Sequence, residues 1–157
     1  MAALPVAPTL DDAIALAAQA HRGQVYPAPG GEPFILHPLR VMLHVQTPTA
    51  RIVAVLHDLI EDTPHTLADL RRRGYPPAIC AALDLLTHRA VDTYDAYSAR
   101  LARDPLARGV KLADLADLAD LADNLANNRR LPPTPDTSAR IARSEQAIAS
   151  LHAAAAD

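Results

Sequence analysis

Blocks of apolar residues at helical spacing, each opened by a capping side chain or a proline, govern what this chain can fold into. Thr9 with Asp11 and Asp12 opens a run over Leu10–His21, a side-chain cap followed by first-turn acids that complement the helix dipole. A Gly- and Pro-rich loop, Gly23–Pro33, precedes Pro38–Val45, and Thr47-Pro48-Thr49 then opens Ala50–Glu61. In that third block Ile52, Val53, Val55, Leu56 and Leu59 make a wide apolar face. Thr66–Arg73 stops at Gly74, and Pro76–Thr87 and Asp92–Arg103 follow. Asp104-Pro105 breaks the chain before a long run from Leu106 to about Asn128. Pro132, Pro133 and Pro135 end that run, and Thr137–Ala155 is the last block. No segment keeps the period-2 alternation of a half-buried strand. The pattern predicts an all-α fold of about seven or eight helices, in a single domain over residues 1–157.

Composition narrows the function. Half of the residues are hydrophobic (50%), but with four Tyr, one Phe and no Trp the core has to be built from alanine and leucine, which favours helices again. The net charge is −3 without a basic block, so a nucleic-acid polymer finds little electrostatic footing. A small anionic ligand needs only a local cluster of Arg or Lys. Cys80 is the single cysteine, which excludes an internal disulfide and suits a reducing cytosol. Met1–Leu10 has no basic start followed by an apolar stretch, and no apolar run approaches the roughly 18 residues of a membrane span. We therefore expect a cytoplasmic protein without a membrane partner. Its oligomeric state stays open.

One segment repeats: Ala113-Asp114-Leu115, Ala116-Asp117-Leu118, Ala119-Asp120-Leu121, Ala122-Asp123-Asn124. A three-residue unit drifts about 60° around a helix per repeat, so the aspartates fan out and cannot all face one site. For most of them the expected role is a solvated acidic flank beside a Leu/Ala stripe.

The chemistry concentrates at His57-Asp58-Leu59-Ile60-Glu61-Asp62. On a continuous helix His57 would sit above Glu61 and Asp58 above Asp62, in two adjacent columns. A His-Asp pair offers one nitrogen and one oxygen to a divalent metal, and the carboxylates a turn later are placed to orient or deprotonate a water. The dipeptide alone is weak. Its position at the end of a strongly apolar helix implies burial, and burying these groups without compensation is expensive. A metal is the simplest compensation.

Ala20-His21-Arg22-Gly23-Gln24, Pro33-Phe34-Ile35-Leu36-His37-Pro38, Val55-Leu56-His57-Asp58-Leu59-Ile60-Glu61-Asp62-Thr63, Leu86-Thr87 and Val110-Lys111-Leu112-Ala113-Asp114 occur in order, followed by the Asp120–Asn124 step. Together they resemble the HD-domain hydrolases of the RelA/SpoT type, specifically the short stand-alone alarmone hydrolases. The resemblance implies an HD-domain helical bundle around one divalent ion, usually manganese. It also implies hydrolysis of the 3′-pyrophosphate of guanosine tetra- or pentaphosphate. The implied metal ligands are His37, His57, Asp58 and one Asp of the repeated helix. Glu61 and Asp62 would handle the attacking water and the protons. Asn124 and Arg140 would contact the substrate, with Arg22 and Arg89 as weaker sources of positive charge, and Lys111 reads either as a phosphate contact or as the buried partner of a carboxylate.

The resemblance has departures. The family's Arg-Lys pair against the base is replaced by Val25-Tyr26-Pro27, with Tyr26 as the residue that would stack instead, and Ser144 stands where an aromatic is common. Guanine and adenine alarmones both stay open. In the family the Asn lies four residues after the ligand Asp. Here Asp114 fits the Lys-Leu-Ala-Asp half, whereas Asp120 keeps the spacing to Asn124. That spacing favours Asp120 as ligand, with Asp114 as the alternative. Among the other histidines, His21 reads as a packing residue, His44 as a neighbour of the His37 face, and His65, His88 and His152 as solvent-facing. Two competing readings are an HD-type 5′-nucleotidase and an inactive helical binding module.

Overall fold

A computed structural model describes residues 6–26, 31–128, 142, 146 and 149–153, with the backbone alone over 119–128. Among the described residues there are eight helices and no strand: α1 (Leu10–Ala20), α2 (Leu36–His44), α3 (Pro48–Leu56), α4 (Leu59–Asp62), α5 (Leu67–Arg72), α6 (Pro77–Leu86), α7 (Tyr94–Ala102) and α8 (Pro105–Asn128). The expected last helix, Thr137–Ala155, falls largely outside the described residues, although 149–153 are helical and Leu151 is buried.

Five of the eight helices begin where a short polar side chain satisfies a free backbone N–H of the first turn. Thr9 accepts from Asp12 N–H, and the Asp12 carboxylate accepts from Thr9 N–H at 2.8 Å, a reciprocal box in which Asp takes the place of the more usual Glu. Thr66 and Asp69 repeat this arrangement on α5. Thr47 caps α3 just ahead of Pro48, Thr93 caps α7, and Asp104 accepts from Ala107 N–H at 2.8 Å to start α8. Gly74, at φ +89°, ends α5 in the left-handed region that favours glycine.

α3 is the central rod. It packs on α1, α2, α6 and α8, and Val53, Ala54, Val55 and Leu56 are wholly buried. A helix apolar on all sides is stable only when surrounded, which is why the other helices assemble around this one. Leu83 on α6, Leu101 on α7 and Val110 on α8 complete the core with no exposure. No helix of the described residues is long and apolar enough to cross a membrane.

One expectation is corrected here. Ala50–Glu61 is not a continuous helix: α3 ends at Leu56 and α4 begins at Leu59. His57 causes the interruption. Its backbone N–H turns to Ala54 O at 3.4 Å, and its ring Nδ1 lies on that same oxygen at 2.7 Å. The turn tightens from an i−4 to an i−3 bond, and Asp58 adopts φ −94°, ψ −1°. His57 and Asp58 therefore sit in the turn between the two helices, although Asp62 N–H still bonds Asp58 O at 2.9 Å.

Candidate active site

Three segments converge: the first turn of α2 brings His37, the α3–α4 junction brings His57 and Asp58, and α8 brings Asp114. His37 Nε2 lies 3.0 Å from Asp114 Oδ1 and 3.6 Å from Asp58 Oδ2. His57 Nε2 lies 3.1 Å from Asp58 Oδ2 and 3.5 Å from Asp114 Oδ1. The two rings meet edge to face, 5.2 Å between centroids. His37, His57 and Asp114 are buried, and Asp58 is partly so.

The tautomers follow from the partners. Ala54 O is a carbonyl and can only accept, so His57 Nδ1 carries the hydrogen and Nε2 presents a lone pair. His37 Nδ1 likewise donates to the Asp117 carboxylate at 2.7 Å, which leaves its Nε2 as an acceptor. With neutral rings, two imidazole lone pairs lie beside the carboxylate oxygens of Asp58 and Asp114, so acceptors face acceptors. His57 Nε2 is buried there with no hydrogen-bond partner among the described residues. Such a cluster needs a cation or additional protons. His37, His57 and Asp58 place their donor atoms within 4.8 Å of one another, as a shared ion requires.

The electrostatics agree. Burial works against charge on His57, yet Asp58 and Asp114 hold its pKa well above the ordinary 6.5. His37 shifts upward too, with burial opposing and Asp114 and Asp117 prevailing. Burial would raise the Asp114 carboxyl, but Lys111 and then the two histidines hold it well below the usual range. Asp58 is depressed as well, against burial, chiefly by His57. Lys111 Nζ donates to Asp114 Oδ2 at 2.7 Å, which occupies one carboxylate oxygen and leaves Oδ1 for the centre.

These residues form the floor of a cleft of about 470 Å³. Glu61 and Asp62 line it from α4. Glu61 accepts the His88 backbone N–H at 3.2 Å, and burial, then Asp58 and Glu61, raises the Asp62 pKa. Tyr26 and Phe34 stack along one wall, 5.6 Å apart and 11° from parallel. Tyr94 and Tyr97 also line the cleft.

Of the residues singled out from the sequence, His37, His57, Asp58, Glu61, Asp62, Lys111 and Asp114 meet at this cleft. Arg22 is exposed in the turn after α1 and does not line it. Arg89 is exposed and paired with Asp84 at 2.5 Å. His44 faces solvent at the end of α2, away from its expected place near His37. His21 packs on Phe34, 4.9 Å between ring centroids, and its Nδ1 bonds Gln24. The side chains of Asp120 and Asn124, and all of Arg140, lie outside the described residues.

Asp117, expected on a solvated flank, is instead 3% exposed and bonded to both His37 and Arg40. The missed signal was the spacing. Asp114 and Asp117 are about 60° apart on the helix, close enough to serve the two nitrogens of one imidazole.

No protein-family model matches the chain. A GTP pyrophosphokinase of Streptomyces coelicolor is 30% identical over 118 residues, which cover 67% of this chain and 14% of that protein. The chain thus corresponds to about a seventh of that relative's length. Among solved structures, the one described as "A metazoan ortholog of SpoT hydrolyzes ppGpp and plays a role in starvation responses" superposes with a TM-score of 0.67 at 18% identity, covering 97% of this chain and 96% of the other. The chain is an all-helical, HD-type domain in fold, similar to the RelA/SpoT proteins in sequence and in structure.

Proposed function

We propose that this chain is a metal-dependent hydrolase that removes the 3′-pyrophosphate of guanosine tetra- or pentaphosphate, giving GDP or GTP and pyrophosphate. The observation that carries the reading is the convergence of four acceptor groups, with His57 Nε2 buried and unpartnered, on the floor of a cleft that holds two more carboxylates. His37, His57, Asp58 and Asp114 would hold the ion. Asp114 takes the place that the Asn124 spacing favours for Asp120, because Asp114 Oδ1 already faces both imidazoles. An N/O set of this kind suits manganese, iron or zinc better than calcium or magnesium. When bound, the ion supplies a Lewis acid that polarises phosphoryl oxygens and acidifies water.

The chain's own groups supply the rest. Glu61 accepts a proton from the attacking water, held in place by the His88 N–H. Water oxygen bonds to phosphorus as the bond from phosphorus to the 3′ oxygen breaks. Asp62, whose carboxyl is shifted upward by burial and by Asp58 and Glu61, is placed to return a proton to that 3′ oxygen. Lys111 balances Asp114 and adds positive charge at the phosphate end of the cleft. The Tyr26–Phe34 wall offers a stacking surface for the base.

The test is purified protein with manganese and ppGpp, its products separated by anion-exchange chromatography. GDP and pyrophosphate should appear in equal amounts. Release of inorganic phosphate from mononucleotides with ppGpp untouched would replace this reading with the nucleotidase. Turnover of neither would favour a binding module.

A further inference from the structure

Asp117 has no part in the reaction just described, yet it is tightly engaged beside the centre. Its Oδ2 accepts from His37 Nδ1 at 2.7 Å and its Oδ1 accepts from Arg40 Nε at 2.7 Å. Arg40 in turn reaches the Glu32 carboxylate through Nη1 at 2.7 Å. Both oxygens of Asp117 are occupied on the far side of the His37 ring, so it is not itself a ligand. α8 thus grips one imidazole from both nitrogens, with Asp114 at Nε2 and Asp117 at Nδ1.

A neutral imidazole carries its hydrogen on either nitrogen, and only one choice leaves a lone pair for a metal. We propose that Asp117, kept in place by Arg40 and Glu32, is a positioning residue for the centre: it locks His37 as the Nδ1–H tautomer and strengthens Nε2 as a donor. The inference rests on the metal reading above. It gives the acidic repeat two distinct roles, one residue facing the ion and the next one behind the ligand. A carboxylate in that position changes metal affinity by about 10- to 100-fold in comparable arrangements.

The competing explanation is a purely structural tie between α2 and α8. Calorimetric titration of the chelator-treated full chain with Mn²⁺ separates the two. Asp117→Ala should weaken Mn²⁺ binding about 10- to 100-fold at unchanged stoichiometry. Its kcat should recover once the metal is saturating, and Asp117→Glu should restore part of the affinity. Arg40→Gln breaks the same tie without touching His37 and should stay within about threefold of the wild type, well below the loss expected for Asp117→Ala. Nitrogen-15 NMR of the metal-free protein, at a pH alkaline enough to make the His37 ring neutral, should show His37 leaving the Nδ1–H form in Asp117→Ala. If that variant folds poorly, Asp117→Asn carries the test with an intermediate loss, since its amide oxygen still accepts. Wild-type affinity and an unchanged tautomer in Asp117→Ala, or equal affinity losses in Asp117→Ala and Arg40→Gln, would overturn the inference. His57→Ala is the control: if it too binds Mn²⁺ normally, the metal reading itself fails.

Discussion

Replacing Asp114 by alanine tests the centre and its register together. Asp114 is 3% exposed, and its carboxylate is the main partner of Lys111 at 2.7 Å. Removing one member of a buried ion pair typically costs about 3–5 kcal/mol. Here the Lys111 side chain retains 21% exposure and also feels the charge of Asp58, so its ammonium is not stranded. We expect a smaller cost than that, about 2–3 kcal/mol. At roughly 2–4 °C per kcal/mol for a domain of this size, the metal-free Tm should fall by about 4–12 °C. The second half of the effect concerns the ion. At a hundredfold excess over Kd, Mn²⁺ should stabilise the wild type by about 2.7 kcal/mol, or roughly 5–11 °C. Asp114→Ala should lack that increment, whereas Asp120→Ala should keep it. Differential scanning calorimetry of both variants, in chelator and in Mn²⁺, gives all four numbers. If the Mn²⁺-induced shift survives in Asp114→Ala and disappears in Asp120→Ala, the assignment of the α8 ligand is wrong.

The metal-free protein should also have a characteristic pH profile. His37 and His57 have pKa values raised above 6.5, so their contribution is complete below that pH and lost as pH rises through the folded values. Asp58, Asp114 and Asp117 are depressed below 3.8, so theirs is present above that pH and lost on acidification. Tm in chelator should therefore peak between these limits, and a Tm that climbs steadily from pH 6.5 to alkaline pH, roughly 9, would contradict the protonated-cluster argument. Glu61→Gln should bind Mn²⁺ normally while turnover drops about 10²- to 10⁴-fold, because an amide cannot take the water's proton. Wild-type turnover in that variant removes Glu61 from the mechanism.

Much of the architecture was legible because it is written in local signals. Thr9, Thr47 and Thr66 mark helix starts by a bond that depends only on residues within one turn, and Gly74 marks a stop for the same kind of reason. The meeting of His37 with His57-Asp58 followed from their motif context. Two features did not follow. The break at His57 is invisible to apolar periodicity, because Leu59 keeps its buried phase across it; only the ring's claim on Ala54 O reveals the change. The partnership of Asp117 with His37 spans 80 residues. One imidazole presents two nitrogens in two directions, so two aspartates of one helix can serve the same ring without reaching a single point.

Lys111 has a further consequence, for how the long helix finds its alignment. Repeated Ala-Asp-Leu triplets offer nearly interchangeable segments, and a slide by one unit exchanges aspartate for aspartate and leucine for leucine. Such degeneracy invites competing arrangements of similar energy. Three residues before Asp114 stands a lysine, whereas three residues before Asp117 and before Asp120 stands another aspartate. Only one alignment therefore sets a cation behind the carboxylate that faces the imidazoles, and every shifted alignment sets an anion there. A single ammonium breaks the translational symmetry of the repeat and indexes the helix against the rest of the fold.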